Sequence, residues 1–332
     1  MNNQAKLLPL NHFSSLPIDS LAALIGSLIC ISFTPIFIRL GEYNLGPNAI
    51  VFNRFWIAAI AFWLLSGLLT VHYRKRKNET QIELKKPELL KKGKLMIVDG
   101  IVLSIGLILW AFSLSMTSIA HSTLLHSLVP IFTVLGAWLA LNQTFDHRFL
   151  LGMFVAIFGS ALLEVNDIFS FRISEQLLGD LAALLSAVFF GIHPLIVQKV
   201  RTHFNPVTIM TWSSTTSALL LLPVVLITEN QLFPSSLTGW LSVIAQALFS
   251  QMIGIGLWAY CLKKLSAGFT SLVALVVPAL SMIEGLVIFS EYINLWTSVS
   301  FSIILWGMYL AISSKSTAVS YTHLTLPTIS RV

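Results

Sequence analysis

Charge is what this chain lacks. Only 10% of its 332 residues are Asp, Glu, Lys or Arg, against about 25% in a soluble globular domain, and that scarcity excludes a water-soluble fold. Cysteine is scarce too: Cys30 and Cys261 lie in or beside apolar runs and are too few for a disulfide framework. There is no G-x-x-x-x-G-K-[ST] loop, which excludes P-loop ATP drive, and no H-E-x-x-H, which removes a zinc-enzyme motif. The first apolar run has no convincing small-residue cleavage site, so it is expected to stay as a signal anchor.

What the chain has is hydrophobicity: 56% of its residues are apolar and its mean hydropathy is +0.83. Roughly 20 apolar residues in a helix cross about 30 Å of hydrocarbon while satisfying their own backbone groups. The apolar runs are continuous, not alternating, which excludes a β-barrel. Bounded by charge, Pro, Asn and Gly, they predict ten spans near 20–39, 48–72, 95–115, 117–141, 148–165, 178–197, 207–227, 238–260, 266–289 and 294–313. The turns between spans 3 and 4 and between spans 8 and 9 are short, which makes each pair antiparallel.

The formal charge of +6 sits in short segments between spans, a signature of membrane orientation and not of nucleic-acid binding. With the N-terminus inside, 17 Lys and Arg fall on the inner side and only Arg39 and Arg172 on the outer side, Arg54 being within a span. An inner-membrane protein with both termini cytoplasmic is expected. The basic loop from Arg74 to Lys94 reads as a solvated topology determinant or as a patch for anionic lipid.

The chain is written twice. At a displacement of 148 residues, Leu109–Phe132 falls on Leu257–Leu280, pairing Trp110 with Trp258, Ser118 with Ser266, Pro130 with Pro278 and, further on, Gly159 with Gly307. At 159 residues, Pro35 pairs with Pro194 and Pro47 with Pro206. The longer basic loop absorbs the difference. Five spans per copy is an odd number, so the copies are inverted, the architecture of alternating-access carriers with a midplane site between the repeats. The fold class is therefore an all-α polytopic membrane protein, ten transmembrane helices in two inverted five-helix repeats. Its segments are an N-terminal stretch 1–19, repeat 1 at 20–166, repeat 2 at 178–313, and a tail 316–332 that resembles translated cloning sequence.

Trp110 to Pro130 followed by AWLALNQ, and Trp258 to Pro278 followed by the FSE of Phe289 to Glu291, resemble the drug/metabolite transporter superfamily, EamA-type branch. The resemblance covers about residues 20–313. It implies helices 1–4 and 6–9 around a central cavity, helices 5 and 10 at the periphery, and secondary transport of small metabolites. The sequence departs from the pattern at Gln143, where the family often has Glu, and in having no acidic residue before Pro278.

Intramembrane polar groups are costly and mark candidate sites. Arg54 presents a planar fork for a carboxylate or phosphate, or pairs structurally. Glu284, aligned with Gly136, can bind and release a proton or stay hydrogen-bonded in the core. His126 stands one turn before Pro130, His193 directly precedes Pro194, and His121 lies further out; each suits proton coupling, substrate contact or a structural bond. Pro35, Pro130, Pro194 and Pro278 are expected kinks, for gating or for packing. Trp110, Trp258 and Tyr260 offer stacking surfaces, although the place of Trp258 and Tyr260 near the cytoplasmic side favours an interfacial belt. Gln251, Asn53, Thr34 and Ser127 are available to line a cavity, and Gly254 and Gly256 permit close helix packing. No metal site, cofactor or catalytic constellation is indicated.

The expected function is secondary transport, as an exporter on the family resemblance, of a small organic solute such as an amino acid, with proton or solute counter-transport. The lipid bilayer and the solute are the expected partners, and no oligomeric state is indicated. A nucleotide-sugar or sugar-phosphate carrier is the alternative, and an intramembrane enzyme a distant one.

Overall fold

Apolar runs of this length can only form helices in a bilayer, and the computed structural model is all-helical throughout its described residues, 18–42, 45–76, 86–117, 119–163, 177–289 and 295–314. Lys6, Arg172, the tail and most of the basic loop lie outside them. Eight helices are long and apolar enough to cross a membrane: α1 (Ile18–Glu42), α2 (Pro47–Val71), α3 (Gly93–Met116), α4 (His121–Leu141), α6 (Leu177–Arg201), α7 (Pro206–Thr228), α8 (Leu237–Cys261) and α9 (Ala267–Phe289). Two shorter apolar helices, α5 (His147–Leu162) and α10 (Ser298–Ile312), complete the ten. Each predicted span falls on one of them. The lipid-facing stripe is plain on α2, where Ile60, Leu64 and Leu68 recur every fourth residue and are exposed.

The most extensive helix–helix contacts obey an exchange rule. The α3–α6 contact is mirrored by α8–α1, α3–α7 by α8–α2, and α4–α6 by α9–α1, while α2–α7, α4–α9 and α5–α10 map onto themselves. Swapping each helix with the one five places on leaves this set unchanged, as a two-fold relation between repeats requires. The α1–α2, α3–α4, α7–α8 and α9–α10 connections therefore share one end of the bundle, and the α2–α3, α4–α5, α6–α7 and α8–α9 connections the other.

α5 and α10 cross where glycine brings backbone against backbone. A Cβ on Gly307 would lie 2.6 Å from the Gly152 carbonyl oxygen, and one on Gly152 would lie 2.5 Å from that of Gly307. No larger side chain fits there. Gly159, the repeat mate of Gly307 in sequence, meets Ile304 instead. Gly254 of α8 packs on Cys30 and Ile31 of α1, as its expected close approach demands, whereas Gly256 has only ordinary contact with Phe62.

Three of the four prolines coincide with interruptions. α1 turns at Phe33, two residues before Pro35. α4 turns at Ser127 and Leu128 ahead of Pro130, and α9 passes through a 3₁₀ turn, Ala274–Val276, ahead of Pro278. In each case proline lacks the N–H that its turn would have used. α6, by contrast, runs helical through Pro194, so the expected kink there is not an interruption. α8 carries an irregularity with no proline, a π-helical stretch Gln246–Ile255, a feature frequent at functional sites.

Candidate functional site

Two polar clusters inside the bundle lie at mirrored depths. Arg54 lies seven residues into α2, and its repeat mate Ser213 lies seven residues into α7. At about 1.5 Å per residue, each sits about 10 Å from its own end of the bundle.

The Ser213 cluster is a closed hydrogen-bond network. Asp99 of α3 is fully buried; its Oδ1 is 2.7 Å from Nδ1 of His193 on α6, and its Oδ2 accepts from the Ser213 hydroxyl at 2.7 Å. Burial of a carboxylate is tolerable because both oxygens are bonded. The His193 ring stacks on Trp258 at 5.2 Å between centroids, 9° from parallel. Trp258 is therefore a buried core partner and not part of an interfacial belt, which corrects the expectation from its position. Tyr260, two residues on, is exposed and donates its hydroxyl to Asp19 at 3.1 Å. Asp19 also holds Lys264 at 2.6 Å, and this hydrogen bond raises the Lys264 pKa above its usual value.

The Arg54 cluster is open. Nε of Arg54 donates to Oε1 of Gln251 at 2.8 Å, and the guanidinium carbon stands 5.5 Å from the Phe55 ring centroid. No carboxylate pairs with it among the described residues. Gln251 is on the π-helical stretch with Gln246 and Ser250, both fully buried, whose side-chain polar atoms have no hydrogen-bond partner. Thr34 of α1, the repeat mate of His193, also has a buried hydroxyl without a partner. Nearby, Phe249 meets Phe33 and Phe37 edge-on.

Glu284 of α9 reaches α1, where its Oε1 accepts from the Ser32 hydroxyl at 2.5 Å; its Oε2 is buried without a partner. Ser281 donates to the Ser32 carbonyl at 2.6 Å. Two α9 side chains thus fasten onto the last residue before the α1 break.

The remaining candidates separate. His126 is 3.4 Å from Ser186 and packs among Trp110, at 5.4 Å, and Phe190, at 4.7 Å. The Trp110 indole N–H is buried with no partner. His121 is 3.7 Å from Asp180, so the histidines of α4 and α6 address different groups. Asn53 is occupied structurally: its Nδ2 donates to Ala49 O and Leu232 O, and its Oδ1 accepts from Trp56, which ties the α7–α8 connection to α2. Ser127 bonds back to the Leu124 carbonyl at the α4 turn. Two residues escaped sequence reasoning. Asp99 is the lone acidic residue of the third apolar run, a signal that was visible. Arg201, counted with the topology charges, is buried and donates to the Ala259, Tyr260 and Phe204 carbonyls, an end cap for α8.

The sequence model of the EamA-like transporter family matches residues 20–165 and again residues 177–313. The chain belongs to the EamA-like transporter family. It is 26% identical over 264 residues to the uncharacterized transporter YyaM of Bacillus subtilis, an alignment spanning 76% of this chain and 81% of that one. An uncharacterized transporter of Archaeoglobus fulgidus is 22% identical over 190 residues, 57% of this chain and 66% of the relative. One solved structure, described only as a crystal structure of a protein, superposes with a TM-score of 0.72 at 16% identity, covering 89% of this chain and 97% of the other. That likeness concerns the fold alone. A multi-pass membrane transporter of this family is the functional class.

Proposed function

We propose that the chain is a secondary transporter that moves a small organic solute, such as an amino acid, outward by alternating access in the inner membrane, with both termini cytoplasmic. The observation that carries this reading is the exchange rule among helix contacts, combined with polar clusters at mirrored depths. In a bundle so related, rocking one repeat against the other opens the two ends in turn. The three interrupted helices supply bends for that motion. Glu284, whose Oε2 has no partner, is the group placed to exchange a proton with the solute cycle. Nothing in this reading calls for a metal, a cofactor or a chemical step.

A nucleotide-sugar or sugar-phosphate carrier would need several cations facing the solute. Arg54 is the one cation deep within a span among the described residues, which favours a solute with a single anionic group. The test is counterflow into liposomes of purified protein preloaded with amino acids or with nucleotide sugars. Saturable exchange of an amino acid is the expected result; a flux that never saturates would rule out a carrier.

A further inference from the structure

Two repeats that share one ancestor show what each has lost when their equivalent positions are laid together. In the second repeat's cluster, His193 and Ser213 converge on the Asp99 carboxylate. Their mates in the first repeat are Thr34 and Arg54, and the mate of Asp99, at the displacement of 148 residues, is Ala247. Ala247 is fully buried on the π-helical stretch, one turn from Gln251. The first cluster thus keeps its donors and has no carboxylate of its own. The Thr34 hydroxyl is buried and unbonded, and Arg54 spends only Nε on the protein. Its terminal nitrogens have no hydrogen-bond partner among the described residues, and the side chain is half-buried.

An unpaired guanidinium in a membrane span is costly, and its fork matches a carboxylate at two points. We propose that an organic carboxylate carried by the transported solute occupies this place. It would take the role beside Arg54 and Thr34 that Asp99 plays beside Ser213 and His193. Gln251, by accepting from Nε, turns the other edge of the guanidinium toward the ligand. The Phe33, Phe37 and Phe249 rings offer apolar surface on the same side of α8 as the α1 break. This assignment rests on the carrier reading and names its substrate class.

The test uses the full chain, purified in detergent, with a panel of amino acids, mono- and dicarboxylates, each beside its carboxamide. Thermal unfolding is followed as a function of concentration. Acids are expected to raise the unfolding temperature and their amides not. Arg54→Gln should weaken the half-maximal concentration by about tenfold or more, the scale of one lost charge-assisted hydrogen bond. Ala247→Asp supplies the missing carboxylate from the chain itself, and should abolish the response to acids while leaving the fold at least as stable. A shift equal for acids and amides, a shift retained in Arg54→Gln, or no response to any acid would overturn the assignment. So would a response confined to inorganic phosphate or a sugar phosphate. Counterflow separates the two claims: saturable exchange that is indifferent to Arg54→Gln sinks this site and leaves the carrier standing, whereas non-saturating flux with an intact acid response sinks the carrier reading alone.

Discussion

Nδ1 of His193 lies 2.7 Å from Oδ1 of Asp99, which joins α6 to α3 through two side chains withdrawn from solvent. Because Ser213 holds the second oxygen, removing the carboxylate strands two donors at once. Asp99→Ala should therefore lower stability by about 2–5 kcal/mol, at about 1–3 kcal/mol for each buried donor left without a partner. Asp99→Asn retains an acceptor and should cost less, about 1–3 kcal/mol. Unfolding in detergent reads both, and an Asp99→Ala protein as stable as the parent would mean that the network contributes nothing to the fold.

Backbone contact at the α5–α10 crossing leaves no room for a methyl group. Gly307→Ala forces its Cβ to 2.6 Å from the Gly152 oxygen, and should destabilise by about 1–3 kcal/mol through overpacking. A Cβ added to Gly67, on α2, would meet nothing within 4 Å; Gly67→Ala should stabilise by up to about 1 kcal/mol through helix propensity. Measured together, the two substitutions must move in opposite directions.

Proton coupling is expected at Glu284. Glu284→Gln keeps the hydrogen bond to Ser32 but cannot gain or lose a proton, so transport should lose its dependence on pH while solute exchange persists. His126→Gln, at a ring packed between Trp110 and Phe190, should leave the pH profile in place. The comparison is made in proteoliposomes with an imposed pH gradient. Profiles unchanged in both variants would end the assignment of coupling to either group.

Arg201 closes α8 by donating to its last carbonyls. Arg201→Met keeps most of the apolar stem and removes those donors, each worth about 1.5–3 kcal/mol when charged. The expected result is a loss of at least one such bond in unfolding experiments. The neighbouring Lys199→Met, at an exposed position, serves as the control and should change little.

The spans were legible because burial in lipid imposes a length and an apolarity that no other structure satisfies. The breaks at Pro130 and Pro278 were legible because proline subtracts a specific N–H. Partners were not. Trp258 reads as a belt residue from its distance to the next lysines, yet the ring turns inward onto His193, because side-chain direction depends on helix rotation. Asp99 hides behind the seven lysines of the preceding basic loop and helix start, where a carboxylate looks like one more solvated charge. The π-helical stretch leaves no mark in Gln246–Ile255 that an ordinary helix would lack. Arg54 and Gln251, both candidates, proved to be each other's partner, a pairing across 197 residues that periodicity does not reach.

The unbroken course of α6 through Pro194, against the turn in α1 at Phe33, has one more consequence. Copies that began alike now differ in stiffness: a continuous helix resists bending along its length, while an interrupted one concentrates bending at a single joint. Elastic strain from any relative motion of the repeats would gather in α1, whose joint is fastened to α9 by Ser281 and Glu284, and α6 would move as a lever. The two openings of the bundle would then differ in energy even with no solute aboard, and a duplicated architecture would have acquired a preferred resting side.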